Sequence, residues 1–201
     1  GALNWKHAFF GANETRVSVF YEGRSGRPYS YVFDNDANGD GVAGNDLLYV
    51  PTAPGDVVFG SAAEEAGFFA MLNADEYLQQ HRGSVVARNG ARAHWVNQFD
   101  VRIAQQLPAF GDGHRAELWL DILNVGNLLN RDWGKIGDQQ YPANLGVVEF
   151  GGVCGAVAAA PCTAADAGKY VYRFNTPDAR TVHDVQAASR WAIQLGFRYA
   201  F

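Results

Sequence analysis

The chain has 201 residues, room for one large domain or for a piece of a longer protein. Hydrophobic residues make up 48% and charged residues only 18%, below the roughly 25% of ordinary soluble domains, which argues against a disordered chain. The net charge of −5 leaves no basic face of the kind nucleic acid demands, and no apolar run approaches the ~18 residues of a membrane-spanning helix.

Aromatic residues (13%) and 23 glycines suit strands and turns better than helices. The start at Gly1, with neither Met nor a basic and apolar leader, reads as a cut through a longer protein.

In chain order, the first segment sets Leu3, Trp5 and Phe9 against Asn4 and Lys6. After a turn at Gly11-Ala12-Asn13-Glu14, Val17, Val19 and Tyr21 alternate with Arg16, Ser18 and Glu22. The same parity is expected to resume at Tyr29, Tyr31 and Phe33. Period two is the signature of a strand with two different faces.

A long connection, from about Asp34 to Arg92, follows. It opens with DNDANGDGVAGND, residues 34–46, where oxygen side chains fall at Asp34, Asp36, Asn38, Asp40 and Asp46 around Gly39 and Gly41. Alternating oxygens in a glycine turn are how Ca²⁺ loops gather ligands. Counted from Asp34, position 12 is Asn45, where a bidentate Glu belongs in an EF-hand, and Asp46 comes one place later. The expectation is a weak extracellular Ca²⁺ site of ~10⁻⁴–10⁻³ M; a solvated Asp/Asn/Gly turn is the alternative. Further on, Ser61-Ala62-Ala63-Glu64 fits a capping box and predicts a short helix through Phe68, Phe69 and Leu72. Asn73-Ala74-Asp75-Glu76 predicts a second cap, with Gly83 as a stop. Packing is the expected role of both helices.

Alternation returns with Ala93, Trp95, Phe99, Val101, Ile103 and Leu107 on one face and His94, Gln98, Asp100, Arg102 and Gln106 on the other; Asn97 and Gln105 interrupt the apolar face. Pro108 to Gly113 makes a short turn, and Ala116, Leu118, Leu120 and Ile122 then alternate with Glu117, Trp119 and Asp121. A second long connection runs from about Asn127 to Thr181. Within it, Phe150 to Ala165 is rich in Gly and Ala, carries Pro161 and reads as a loop. Its two cysteines, Cys154 and Cys162, do not match zinc spacing and are expected to form a small disulfide in an oxidising compartment. The last segment is the clearest strand: Trp191, Ile193, Leu195, Phe197, Tyr199 and Phe201 alternate with Arg190, Ala192, Gln194, Gly196, Arg198 and Ala200.

Eleven unbroken alternating residues match the about 9–11 that a tilted strand needs to cross a bilayer. Polar side chains on the second face are costly in a dry core and harmless against water. A sheet with lipid on one side and a wet lumen on the other accommodates both faces. A soluble antiparallel sheet with one solvated face remains the alternative. Short turns at one end and long connections at the other are the asymmetry of outer-membrane barrels.

Five blocks carry a family resemblance: FYEGRSGRPYSYVF (20–33), DANGDGVAGNDLLYVP (36–51), RNGARAHWVNQFDVRIAQQLP (88–108), ELWLDILNVGNLLNRDWG (117–134) and SRWAIQLGFRYAF (189–201). Together they resemble the C-terminal half of TonB-dependent outer-membrane receptors, especially the Oar-like branch, with the match fading between Tyr141 and Ala188. The resemblance implies that 1–201 is the C-terminal portion of an all-β, antiparallel transmembrane barrel. Here that means about five long strands of some 22, closed around an upstream plug, with long extracellular loops holding short helices. It implies a cell outer-membrane location, a periplasmic C-terminus, and uptake of an unidentified small ligand or peptide driven through the TonB complex. Outer-membrane lipid and the barrel-assembly machinery would be its partners. Ile193, Leu195, Phe197, Tyr199 and Phe201 occupy the positions of the family's C-terminal assembly signal.

Asp100, Arg102, Arg190, Gln194 and Arg198 are then expected to face the lumen. The five His are scattered, and no HExxH, GxSxG or phosphate-loop motif occurs. His94, Asp100 and Arg102 on one face read as a polar ladder, so no enzyme is expected. A soluble secreted calcium-binding β domain and a passive structural outer-membrane barrel are the alternative functions.

Overall fold

The computed structural model describes residues 1–108, 111, 113–139, 141–155, 157, 159–174 and 183–201. Residues 109, 110 and 112 of the expected Pro108–Gly113 turn, and the end of the second long connection at 175–182, lie outside that description. The elements are β1 (Ala2–Phe10), β2 (Asn13–Arg24), β3 (Pro28–Phe33), β4 (Tyr49–Val50), β5 (Val58–Phe59), α1 (Ala62–Ala74), α2 (Glu76–Gln80), β6 (Ser84–Val85), β7 (Ala91–Arg92), β8 (Val96–Leu107), β9 (Arg115–Leu123), α3 (Val125–Leu129), β10 (Gly137–Asp138), β11 (Asn144–Val153), β12 (Tyr170–Arg173), β13 (His183–Asp184), α4 (Gln186–Ser189) and β14 (Ala192–Ala200). The protein is mostly β, and its chain forms two compact units.

The first unit comprises residues 1–26, 94–137 and 184–201. It is one antiparallel sheet in the order β1-β2-β8-β9-β14, built from the five expected long strands. β1 and β2 join through Gly11-Ala12, where Gly11 has φ +63°, the left-handed geometry that favours glycine in a two-residue hairpin. β8 and β9 join at the same end of the sheet. Both long connections leave from the opposite end, where Arg24 pairs with Val96 and Leu123 with Ala192. The sheet is open: no described strand pairs β1 with β14.

The second unit comprises residues 27–93 and 138–183, so the two long connections fold together rather than hang as loops. Its sheet runs β5-β12-β11-β3-β7. β11 pairs with β3, and β12 with β5, in parallel; β11–β12 and β3–β7 are antiparallel. The antiparallel pairing expected of the long strands holds in the first sheet, whereas the long connections, expected as loops with short helices, add this mixed sheet. β3 is not a resumption of the β2 face. Tyr29, Tyr31, Val32 and Phe33 are all buried, and β3 has no exposed side to alternate with. Phe150–Val153 is the end of β11 rather than loop. Its glycines hid the strand, since Gly146, Gly151 and Gly152 present no side chain to a periodicity.

Both predicted helices form. Ser61 accepts from Glu64 N at 3.2 Å, but the Glu64 carboxylate accepts from Phe174 N instead of closing the capping box. Asp75 caps α2 by accepting from Leu78 N at 2.8 Å, and it also accepts from Tyr31 Oη at 2.5 Å. α2 ends at Gln80, before Gly83. Phe68 and Leu72 from α1, Leu78 from α2, Leu48, and Tyr172 from β12 are fully buried in one core. Each such side chain contributes about 1.5–3 kcal/mol of burial, which is why short strands and helices hold together here.

Candidate functional site: a two-faced sheet and the 34–46 loop

Cross-strand partners share a face, so the register of the first sheet sorts its side chains into rows. Leu3, Val19, Val101, Ile122 and Ile193 form one row across all five strands. Trp5, Val17, Ile103, Leu120 and Leu195 form the next. Both rows are wholly apolar, and their members on the edge strands are exposed: Leu3 69%, Trp5 49%, Ile193 52% and Leu195 71%. Soluble monomers rarely expose contiguous apolar patches beyond a few hundred Å². β2 and β8 have 12 residues and β1, β9 and β14 have nine, close to the about 9–11 of a tilted membrane-crossing strand.

Polar residues interrupt this face at Asn97 and along the row His7, Thr15 and Gln105, which continues into Leu118 and Phe197. Asn97 Oδ1 accepts from Tyr21 Oη at 2.8 Å and from Trp95 Nε1 at 3.2 Å. Gln105 accepts from Thr15 Oγ1 and donates to the Gln106 carbonyl at 2.7 Å.

The reverse face carries the row Asn4, Ser18, Arg102, Asp121 and Gln194. Arg102 grips Asp121 in a bidentate pair, Nε to Oδ1 at 2.5 Å and Nη2 to Oδ2 at 2.7 Å. The same guanidinium lies 5.9 Å from the Trp119 ring centre. Trp119 rests on Gly196, where a Cβ would stand 2.2 Å from the indole. Towards the short turns, Arg16 lies 3.6 Å from Glu117 and 3.8 Å from Glu14, and Arg198 stands opposite Glu117 in register. Asp100 accepts from Asn124 N at 2.8 Å.

Asp100, Arg102, Gln194 and Arg198 therefore share the polar face. Arg190 precedes the strand: it is the C-cap of α4 and donates to Gln186 at 3.1 Å. Ile193, Leu195, Phe197 and Tyr199 occupy the apolar side of β14, Tyr199 Oη meeting His114 Nδ1 at 2.7 Å, and Phe201 lies just past the strand.

Sequence reasoning missed Asn124. It sits at φ +51° between β9 and α3, nearly buried, and its Nδ2 donates to the carbonyls of Gly134 (2.9 Å) and Ser189 (3.0 Å). It thereby clamps the segments entering and leaving the strands. The available signal was the residue type: an Asn, which tolerates the left-handed conformation, directly after the alternating stretch that ends at Leu123.

In the 34–46 loop the carboxylates face inward. Asp36 accepts from the amides of Gly39 (2.7 Å), Asp40 (3.2 Å) and Gly41 (2.7 Å). Asp46 Oδ2 accepts from Ala37 N (2.7 Å) and Asn38 N (3.2 Å). Asp40 accepts from Val42 N and from the side-chain amides of Asn38 and Asn45. These bonds hold its carboxyl below the usual carboxylate range, the Val42 amide first among them. Among the described residues, no three His, Cys, Asp or Glu side chains gather into a metal-holding group. Cys154 and Cys162 are joined in a disulfide, their Cα atoms 5.7 Å apart.

The fold and site thus define an antiparallel sheet with two adjacent wholly apolar rows on one face and charged pairs on the other, its long connections gathered into a separately cored mixed unit. Compared with known proteins, the chain matches no family model, no curated protein and no solved structure.

Proposed function

We propose that the first unit is a segment of a transmembrane β-barrel in an outer-membrane receptor of the TonB-dependent kind. Its apolar rows face lipid and its Arg102–Asp121 face lines a hydrated lumen. The observation that carries this reading is the back-to-back placement of wholly apolar and polar rows, each five strands wide. Lipid offers the apolar rows the environment that water denies them, while the charged side chains stay wet. The secreted-domain alternative accounts for the cored second unit but leaves the apolar rows in water.

In this reading the open edges of β1 and β14 pair with further strands of the same barrel, the β14 residues 193–199 and Phe201 address the barrel-assembly machinery, and the long connections face outward to capture a ligand. Energy coupling to TonB through a plug belongs to the same proposal and is supported only by resemblance. The 34–46 loop is retained as a weak Ca²⁺ site within it, on the strength of its residue pattern.

The test is spin labelling of the membrane-embedded protein, one label at a time from 193 to 199 with Gly196 left out, since a side chain there would enter the Trp119 ring. Collision rates with oxygen should peak at 193, 195, 197 and 199, and those with a water-soluble nickel chelate at 194 and 198. Absence of that alternation, or water accessibility at every position, would overturn the proposal.

A further inference from the structure

The second unit contains a cleft of about 410 Å³, within the roughly 300–1,000 Å³ typical of small-molecule sites. One wall is aromatic. Tyr170 packs edge to face against Tyr49 (5.8 Å, 83°) and Phe150 (5.6 Å, 80°), and Phe150 packs against Phe33 (5.7 Å, 61°). Tyr49 is fixed from behind by its hydroxyl, which donates to Asp56 at 2.9 Å, so the platform is held before anything binds. Tyr170 remains 41% exposed. The lining also includes Asn38, Asn45, Asp46 and Arg88.

Charge narrows the occupant. Among the described lining residues, Asp46 and Arg88 are the carboxylate and the strong base, and they cancel. An anionic ligand finds no net positive charge, and the Asp40 carboxylate behind the lining is engaged by the amides of Asn38, Asn45 and Val42. What the walls offer instead is a set of paired donors and acceptors. Arg88 makes one hydrogen bond among the described residues, to the Asn45 carbonyl at 3.0 Å, and a guanidinium has five N–H donors. Asp46 directs the bonds it makes within the loop through Oδ2 alone. The exposed Tyr170 ring, lining the same cleft as Asp46 and Arg88, suits a molecule with apolar ring faces and a rim of hydroxyls.

We propose that this cleft binds a neutral saccharide, one pyranose ring lying on Tyr170 and its hydroxyls meeting Asp46 and Arg88. The location on the outer surface rests on the barrel reading above; the cleft itself lies wholly within the second unit and does not. The hydroxyl contacts set selectivity, because a site built to hydrogen-bond rejects analogues that leave its polar groups unpaired.

The experiment is calorimetric titration of the full chain in detergent with maltotriose, cellotriose, laminaritriose and triacetylchitotriose, with a mixed tripeptide pool and a trisaccharide uronate as comparators. At least one neutral trisaccharide should bind in the range of about 10 µM to 1 mM. Tyr170→Ala and Arg88→Ala should each weaken it about tenfold or more, while Tyr170→Phe, which keeps the ring, should stay within about threefold. Near-ultraviolet circular dichroism reports whether each variant is folded, and Arg88→Ala, at an exposed position, carries the test if Tyr170→Ala is not. No neutral saccharide bound by the folded protein at 10 mM, approximately the weakest affinity worth assigning to a site, would overturn the proposal. So would binding that both alanine variants leave intact, or preference for the peptides or the uronate. None of these results alters the collision pattern of 193–199, so the saccharide site and the barrel fail separately.

Discussion

Arg102 and Asp121 meet across β8 and β9 as a planar, two-point pair, with the Asp121 side chain 10% exposed and the Arg102 side chain 57%. Their residues are direct cross-strand neighbours, so the pair reports the register of the middle of the sheet. Two parallel N–H···O bonds make this geometry more demanding than a single-point ion pair.

Removing one partner leaves the more enclosed carboxylate without its donors. Arg102→Ala is expected to cost about 1–2 kcal/mol, the exposure of the arginine holding the figure at the low end. Arg102→Lys should recover only part of it, since an ammonium cannot grip both oxygens. Urea unfolding of the protein in lipid vesicles measures both; a lysine variant as stable as the parent would show that the two-point geometry is irrelevant.

Gly196 is expected to be intolerant for a reason unrelated to backbone freedom. Any Cβ there enters the Trp119 ring, 2.2 Å away. Gly196→Ala should therefore displace the indole from the Arg102 guanidinium and cost about 1–3 kcal/mol, and the double change Gly196→Ala/Trp119→Leu should be milder than the single one. The same unfolding transitions compare the two.

The 34–46 loop is held by its own amides, so it is expected to keep its shape in EDTA. Asp36→Ala strips three acceptor contacts at once and should cost about 1–3 kcal/mol whether or not Ca²⁺ is present. Thermal unfolding in EDTA and in millimolar Ca²⁺ separates the two roles: a cost that appears only in Ca²⁺ assigns the carboxylate to the ion.

The second unit should lose stability in alkali. Burial, reinforced by its hydrogen bond to Asp75, pushes the Tyr31 hydroxyl far above the ordinary phenol range, and burial does the same to Tyr172. A phenol whose folded pKa is raised stays neutral in the fold while the unfolded chain ionises. Its contribution is complete below about pH 10 and declines as pH rises above it. Tyr31→Phe should flatten part of that decline while costing about 1 kcal/mol at neutral pH for the lost bond to Asp75. Denaturant midpoints from pH 7 to 11 give the slope for each protein.

The sequence exposed these two units unequally. β14 was readable almost to the residue because Ile193, Leu195, Phe197 and Tyr199 alternate with Gln194, Gly196 and Arg198, and period two survives wherever the two faces meet different media. β3 carried the same aromatic beat at Tyr29, Tyr31 and Phe33 yet belongs to another sheet; burial on both faces removes the contrast on which the inference depends. β11 and β12 depend on partners more than a hundred residues away, Asn144 pairing with Ser30 and Val171 with Val58, and nothing local encodes such pairing. On the polar face, the parity of Arg102 was legible but its partner was not, because Asp121 becomes its neighbour only once the β8–β9 register is fixed. The cleft required residues from both long connections, Tyr49 and Arg88 from one and Phe150 and Tyr170 from the other. No single stretch announced it.

The strand order β5-β12-β11-β3-β7 interleaves those two connections like fingers of clasped hands. Within this sheet neither segment is contiguous: β12 and β11, from residues 138–183, sit between β5 and β3, from residues 27–93. For protein engineering this means that the two segments form a single cassette. Grafting one of them onto another scaffold, or trading it for a relative's version, would strand the other without neighbours, so any exchange of the binding surface has to move both together.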